Sequence, residues 1–149
     1  PISSSFIKCL VEKNDFDLAE TLLGRSYYLK GIVVTGKKLG SKLGFPTANI
    51  KLDANYVLPE EGVYDTEIIV GGVLYRAATS LGVNATLGEN TVKIEAHIID
   101  FNKEIYGHKI KIRFIEKLRD MVKFENLEEL KTQVIKDVMD VKKRLNVEW

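Results

Sequence analysis

The sequence has too few cysteines, apolar runs and surplus charges for several classes of protein. Its single cysteine, Cys9, excludes an intramolecular disulfide and is typical of a protein from the reducing cytoplasm. No stretch approaches the roughly 18 consecutive apolar residues of a membrane-spanning helix, and the N-terminus lacks a signal-peptide pattern. The 22 basic and 21 acidic residues are mixed along most of the chain and leave a net charge of +1. We therefore expect neither a membrane nor a nucleic-acid partner.

Residues 1–23 have the pattern of two short amphipathic helices. The serines of Ser3-Ser4-Ser5 are suited to cap the first helix, and Asn14 or Asp15 is suited to cap the second. Gly24 follows the second apolar stretch, at the position where a glycine often closes a helix. The chain then changes to a different periodicity.

From about residue 28 the sequence consists of short strand-like runs between glycine-rich turns. Gly71-Gly72 joins two of these runs and predicts a tight hairpin. No long helix intervenes, which argues against a parallel βαβ architecture and favours a small closed or nearly closed antiparallel barrel. The predicted strands are residues 28–35, 63–70, 73–81, 92–101 and 109–114.

The C-terminal part of the chain predicts one long helix. Asn126 can cap its start, and Glu129 three residues later completes a pattern like a capping box. An apolar stripe at helical spacing should pack on the barrel, while the charged residues face water. The stripe consists of Leu127, Leu130, Val134, Val138, Val141 and Leu145.

The segment from Gly36 to Asn49 follows a predicted strand and is rich in glycine and lysine. Backbone N–H groups of glycines can form an anion-binding nest, and lysines add positive charge, so a phosphate-binding loop is one interpretation. A solvated hairpin loop is the other interpretation, because basic glycine loops commonly join strands. The spacing does not fit a Walker A sequence or a dinucleotide-binding fingerprint.

Thr47 and Asn49 are the candidate metal ligands at the end of this segment. Pro46 biases Phe45 toward an extended conformation, and residues two apart in an extended chain point to the same side. A hydroxyl and an amide oxygen suit Mg²⁺, which keeps several waters and takes further oxygens from phosphates. A simple Asx or Thr turn at a strand end would use the same residues.

Glu95 is the candidate general base. Lys93, Glu95 and His97 alternate with apolar residues, so they share the polar face of their strand. Such a glutamate is often only a solvated or ion-paired carboxylate, with Lys93 as a neighbour. His97 is suited to a structural or ATP-adjacent role.

Several separated motifs resemble those of the riboflavin kinase (flavokinase) family, with Gly44-Phe45-Pro46-Thr47-Ala48-Asn49 as the most characteristic. The resemblance extends over roughly residues 24–145. The other matching segments are Gly62-Val63-Tyr64, Glu95-Ala96-His97-Ile98-Ile99-Asp100-Phe101, Ile105-Tyr106-Gly107, Leu118-Arg119, Lys123-Phe124, and the helix with Gln133 and Asp137.

The resemblance implies a six-stranded antiparallel Greek-key barrel with a C-terminal helix, spanning residues 24–149. It also implies transfer of the ATP γ-phosphate to the ribityl 5′-hydroxyl of riboflavin, giving FMN and ADP, with Glu95 as the base and Mg²⁺ on Thr47 and Asn49.

Arg119 and Phe124 would contact the flavin, although Phe124 could equally anchor the C-terminal helix as plain core. Tyr106 would pack against adenine or simply cap its strand. The ATP-binding residues implied are Gly36, Lys42, Gly44, Phe45, Pro46, Thr47, His97 and Tyr106.

The sequence departs from the family pattern at Ser41, where arginine is frequent, at Asn84-Ala85, which replaces Arg-Pro, and at Met121, which replaces glutamate.

Residues 1–23 resemble the end of the adenylyltransferase domain and the linker in bifunctional riboflavin kinase/FAD synthetases. The chain begins with Pro1 and no initiator methionine. We therefore expect a monomeric fragment of such a protein, which makes FMN and not FAD.

Two other functions are compatible with a small barrel. A non-catalytic barrel that binds flavin or nucleotide would share the fold without turnover. A barrel that binds single-stranded nucleic acid would need aromatic platforms along a basic groove, which the balanced charge, with both signs mixed along most of the chain, argues against.

Overall fold

The computed structural model describes residues 4–34, 47–84, 91–101 and 103–146. Six antiparallel strands close into a barrel in the order β1-β2-β5-β4-β3-β6, which confirms the predicted mainly-β Greek-key fold. Two short helices precede the barrel and a long helix follows it. The elements are α1 (Ser4–Glu12), α2 (Phe16–Leu23), β1 (Leu29–Val34), β2 (Thr47–Leu52), β3 (Gly62–Val70), β4 (Val73–Asn84), β5 (Thr91–Ile98), β6 (Lys109–Arg119) and α3 (Leu127–Asn146).

The barrel interior is filled by every second residue of the strands. Leu29, Ile68, Ile94 and Ile112 are almost completely buried there, as the alternation of apolar and polar residues predicts. The intervening side chains point outward, and this alternation decides which residues can form a surface site.

The β3–β4 hairpin is confirmed at the predicted glycines. Gly71 and Gly72 have φ angles of 57° and 77°, and a two-residue turn with positive φ at both positions matches the right-handed twist of the strands. The pairing runs from Val70 opposite Val73 to Gly62 opposite Leu81.

Three predicted C-terminal strand ends are wrong. The strand predicted to reach Phe101 ends at Ile98, because Asp100 adopts a left-handed conformation with φ 55° that breaks the extended chain. In the other direction, β4 and β6 are longer than predicted and continue to Asn84 and Arg119, since cross-strand pairing extends strands beyond their apolar runs.

The two N-terminal helices form as predicted, and their apolar faces join the barrel core. The Asp15 side chain accepts a hydrogen bond from the backbone N–H of Leu18 and caps α2, while Gly24 closes that helix with φ 74°. Phe16 packs against the rings of Tyr64 and Phe114. The division of the chain at residue 23 stays a prediction.

Helix α3 begins at the predicted cap and lies on the outer face of the barrel. The Asn126 side chain accepts a hydrogen bond from the Glu129 N–H at 2.9 Å. Val141 and Val138 pack against Ala78 of β4, so the helix covers part of the outward-facing surface. Leu127 was expected in the same stripe but is 39% exposed, because the helix contacts the sheet through its later turns.

Candidate active site

Strands β2 and β5 bring the principal predicted site residues together on the outer face of the barrel. Thr47 pairs with His97, and Asn49 pairs with Glu95. Ala48 and the other residues that alternate with them along the two strands are buried in the barrel interior. The side chains of Thr47, Asn49, Glu95 and His97 therefore point away from the core. Directly opposed side chains have Cβ atoms about 5 Å apart, which places the two candidate metal ligands beside the candidate base.

Strand β4 continues the same surface on the other side of β5. Ser80 pairs with Glu95, and Ala78 pairs with His97. Sequence reasoning did not include Ser80 among the site residues, because the β4–β5 register is needed to place its hydroxyl beside Glu95. Alternation along β4 was the only local signal that it faces outward.

The Glu95 carboxylate forms an ion pair with Lys93 of the same strand. The distance from Lys93 Nζ to Glu95 Oε1 is 2.8 Å, and the two side chains are 50% and 29% exposed. An ion pair this open contributes little to stability. The carboxylate therefore remains accessible to a substrate hydroxyl, as a general base must be.

His97 contacts the Thr47 hydroxyl and is half-buried beside two carboxylates. Its Nδ1 lies 3.3 Å from Thr47 Oγ1. Burial lowers the pKa of the His97 imidazole, and the nearby negative charges of Glu95 and Asp137 act in the opposite direction without restoring it. The ring is consequently neutral at neutral pH, and a neutral ring can accept a hydrogen bond.

The donor set on this face fits a magnesium ion. Thr47 and Asn49 supply two neutral, hard oxygens one pleat apart, and Mg²⁺ is commonly held by few protein ligands together with waters and substrate phosphates. Among the described residues there is no group of three or more His, Cys, Asp or Glu side chains that could hold a metal ion by itself.

Five of the predicted ATP contacts lie outside the described residues, namely Gly36, Lys42, Gly44, Phe45 and Pro46.

Tyr106 lies in the turn before β6, separated from Asn49 by one strand. The N–H of the following residue, Gly107, donates to the Val33 carbonyl of β1 at 2.8 Å, and the next residue of β1, Val34, pairs with Asn49. The Tyr106 side chain is 60% exposed. The ring is thus available for an aromatic ligand near the site, although its predicted contact with adenine stays a prediction.

Arg119 is held by helix α3. Its Nε and Nη2 donate to the two carboxylate oxygens of Asp137, each at 2.8 Å, and the Asp137 side chain is 3% exposed. Gln133 also donates to Asp137. The guanidinium carbon lies 6.0 Å from the centre of the Phe124 ring. The planar group is therefore fixed in orientation, which suits stacking on a flat ligand.

One row of paired residues connects these regions across the sheet. Arg119 pairs with Val63, Val63 with Ser80, Ser80 with Glu95, and Glu95 with Asn49. Three strand spacings separate Arg119 from Glu95, about 14 Å at the usual distance between strands. This path follows the curved sheet half of the way around the closed six-stranded barrel. A more direct link is Asp137, which holds Arg119 and lies near enough for its charge to act on the His97 imidazole.

A six-stranded barrel with this polar outer face defines a small ligand-binding or catalytic domain, and comparison with known proteins identifies its family. Residues 23–145 match the sequence profile of the riboflavin kinase family. The chain belongs to this family.

The relatives agree in sequence and in fold. The bifunctional riboflavin kinase/FMN adenylyltransferase of Bacillus subtilis (strain 168) is 40% identical over 139 residues, which are 91% of this chain and 44% of that protein. A crystal structure of riboflavin kinase from Trypanosoma brucei is 28% identical with a TM-score of 0.57, and the match covers 81% of this chain and 80% of the other.

A crystal structure described as a macrolide-efflux protein from Streptococcus pneumoniae is 32% identical with a TM-score of 0.87. That match covers 99% of this chain and 47% of the other. The chain spans less than half the length of the curated bifunctional relatives that it matches. No helix in the described part of this chain is long and apolar enough to cross a membrane.

Proposed function

We propose that this chain is an ATP:riboflavin 5′-phosphotransferase, which makes FMN and ADP. The family supports the reaction class, since its members are riboflavin kinases. The observation that carries the proposal is the direct pairing of Asn49 with Glu95. This pairing puts an oxygen ligand for a metal–phosphate group next to a carboxylate that can accept the proton of an alcohol.

Glu95 acts as the general base. The ribityl 5′-hydroxyl attacks the γ-phosphorus as its proton passes to the Glu95 carboxylate, and the bond from phosphorus to the ADP oxygen breaks. The transition state of such a transfer is loose, so positioning and charge stabilisation are the main tasks of the protein. A carboxylate that is 29% exposed can be reached by the hydroxyl and can return the proton to water afterwards.

Thr47 and Asn49 hold Mg²⁺ together with the phosphates of ATP. When bound, this ion neutralises charge on the β- and γ-phosphate oxygens. The glycine-rich loop supplies the backbone N–H groups of Gly36, Gly44 and Phe45 and the charge of Lys42 to the same phosphates. Pro46 has no N–H to donate and contributes through its restricted backbone. Tyr106 packs against the adenine ring.

The flavin lies between Glu95 and Arg119, on the side where Asp137 approaches His97. The ribityl hydroxyl must reach Glu95, so the isoalloxazine ring extends away from it over the surface that carries Arg119 and Phe124. The bidentate contact of Arg119 with Asp137 presents a fixed planar group, and Phe124 adds apolar surface. A flat aromatic ligand with polar edges is recognised by such a combination.

The test compares the parent chain with Glu95→Gln and Lys93→Gln, because both substitutions remove the same ion pair but only one removes the carboxylate. FMN formation from riboflavin, ATP and Mg²⁺ is followed by chromatography. We expect the parent and Lys93→Gln to turn over at similar rates. Glu95→Gln should be at least tenfold slower, a loss of about 1.4 kcal/mol in transition-state stabilisation.

Each result of this comparison has a distinct meaning. Equal turnover by Glu95→Gln and the parent would remove Glu95 as the base. A matched loss in both variants would mean that the ion pair, and not the base, is required. Binding of riboflavin or ATP without FMN formation by the parent would identify a non-catalytic barrel instead.

A further inference from the structure

The contact between Thr47 and His97 is not used by the proposed chemistry, yet it lies inside the site. Thr47 Oγ1 and His97 Nδ1 are 3.3 Å apart, and the two residues are direct partners on adjacent strands. Either atom can be the donor, depending on the tautomer of the ring. The direction of this hydrogen bond decides what the Thr47 oxygen can offer to a ligand.

A hydroxyl group has one proton and two lone pairs. A hydroxyl that coordinates a cation must turn a lone pair toward the ion and its proton away from it. A proton acceptor on the side opposite the ion makes this orientation favourable before the ion arrives. An Nδ1–H donor would have the reverse effect, since it would occupy a lone pair and leave the hydroxyl proton free to point at the cation.

The strand that carries His97 is packed on both sides of this residue. Its neighbours Ala96 and Ile98 are buried in the barrel interior, which fixes the direction of the strand at this point. On the other side, His97 pairs with Ala78, a fully buried residue beneath α3. The ring therefore lies between the Thr47 hydroxyl and the covered part of the sheet.

We propose that His97 is a positioning residue, whose unprotonated Nδ1 accepts the hydrogen bond of the Thr47 hydroxyl and so directs the Thr47 lone pairs toward Mg²⁺. This inference rests on the proposed function, in which Thr47 is a metal ligand. It gives His97 a role through another residue and not through contact with the reacting atoms. The ring carries its single proton on Nε2.

The tautomer is measured directly by nitrogen NMR of the histidine rings in the nucleotide-free chain. The sequence has two histidines, so a His108→Asn variant assigns the signals of His97. We expect an unprotonated Nδ1 and a protonated Nε2 at neutral pH. An Nδ1–H tautomer would overturn the proposal without any measurement of activity.

Two substitutions of His97 separate hydrogen bonding from packing. His97→Asn places an amide oxygen near the position of Nδ1, whereas His97→Leu fills space without an acceptor. The Mg²⁺ concentration for half-maximal rate, and the Mg²⁺ dependence of ADP binding by calorimetry, should rise up to about tenfold in the leucine variant, the factor typical of one lost hydrogen bond. The asparagine variant should stay within about threefold of the parent on the same scale. Equal effects of both variants would show that His97 contributes packing alone.

A double substitution distinguishes failure of this proposal from failure of the metal site. If His97 acts through the hydroxyl, His97→Leu should have no further effect on the Mg²⁺ requirement in a Thr47→Val background. Additive effects would refute the coupling between the two residues. An unchanged Mg²⁺ titration in Thr47→Val alone would remove Thr47 as a metal ligand, and with it the basis of the proposal. An effect of Thr47→Val without one of His97→Leu would refute only the role of His97.

Discussion

Asn49 and Glu95 are direct partners across the pairing of β2 with β5, and both side chains lie on the outer face of the barrel. They are 46 positions apart in the sequence, yet no other residue separates them in the sheet. An amide oxygen and a carboxylate are thereby held side by side by backbone hydrogen bonds, with their positions fixed by strand register.

Asn49→Ala should raise the Mg²⁺ concentration needed for half-maximal FMN formation by about tenfold, the change that corresponds to roughly 1.4 kcal/mol. The substitution deletes an oxygen ligand and leaves the Glu95 carboxylate in place, so the rate at saturating Mg²⁺ should change much less. Lys51→Ala is the control, because Lys51 lies two residues along the same strand, is exposed, and faces the same side. An identical Mg²⁺ titration for Asn49→Ala and the parent would contradict the assignment.

Asp137→Asn should lower the free energy of unfolding by about 3 kcal/mol, because it leaves the Arg119 guanidinium without its charged partner. Asp137 is almost fully buried and makes two hydrogen bonds to Arg119. Chemical denaturation measures the loss. Asp140→Asn, an exposed position on the same helix, should have little effect, and a similar loss in both variants would mean that the ion pair is not the cause.

Glu20→Gln should make stability less sensitive to acid. Burial by itself raises the pKa of Glu20, but hydrogen bonds from Arg113 and the Tyr27 N–H outweigh it and hold the pKa below its ordinary value of 4.5. A lowered carboxylate pKa contributes stability above the unfolded-state pKa, and this contribution is lost as the pH falls through the folded-state pKa.

Denaturation of Glu20→Gln at neutral pH and at about pH 3.5 measures this effect. The variant should be less stable than the parent at neutral pH, and the difference should shrink at acid pH. Glu12→Gln, an exposed glutamate on α1, serves as the control. A constant difference between the Glu20 variant and the parent across this range would show that the pKa of Glu20 does not contribute.

Phe16→Ala should lower the free energy of unfolding by about 3–5 kcal/mol, the usual cost of a large cavity in a core. Phe16 is buried and packs against Tyr64 and Phe114 of the barrel. Leu18→Ala, on the same helix but 39% exposed, should cost much less. Thermal or chemical denaturation of the two variants tests whether the N-terminal helices and the barrel unfold as one unit. A single transition that Phe16→Ala shifts and Leu18→Ala leaves nearly in place would show that they do.

Much of the fold could be predicted because the signals are local. The Gly71-Gly72 turn, the Asp15 and Asn126 caps and the Gly24 helix end each depend on residues within one turn of chain. The outward direction of Glu95 follows from alternation alone. The strand that was predicted to reach Phe101 ends earlier because Asp100 adopts a left-handed conformation. The neighbouring sequence contains no clear signal for that conformation.

The sequence by itself determined which residues are polar and outward-facing on each strand, since side chains of a strand alternate between two faces. The tertiary structure decided which of those residues are neighbours. The pairing of Thr47 with His97 and of Asn49 with Glu95 depends on the register of β2 against β5, and the contact of Arg119 with Asp137 depends on how α3 lies on the barrel. Register between distant strands is fixed by closure of the barrel and packing of its interior, and no local segment contains that information.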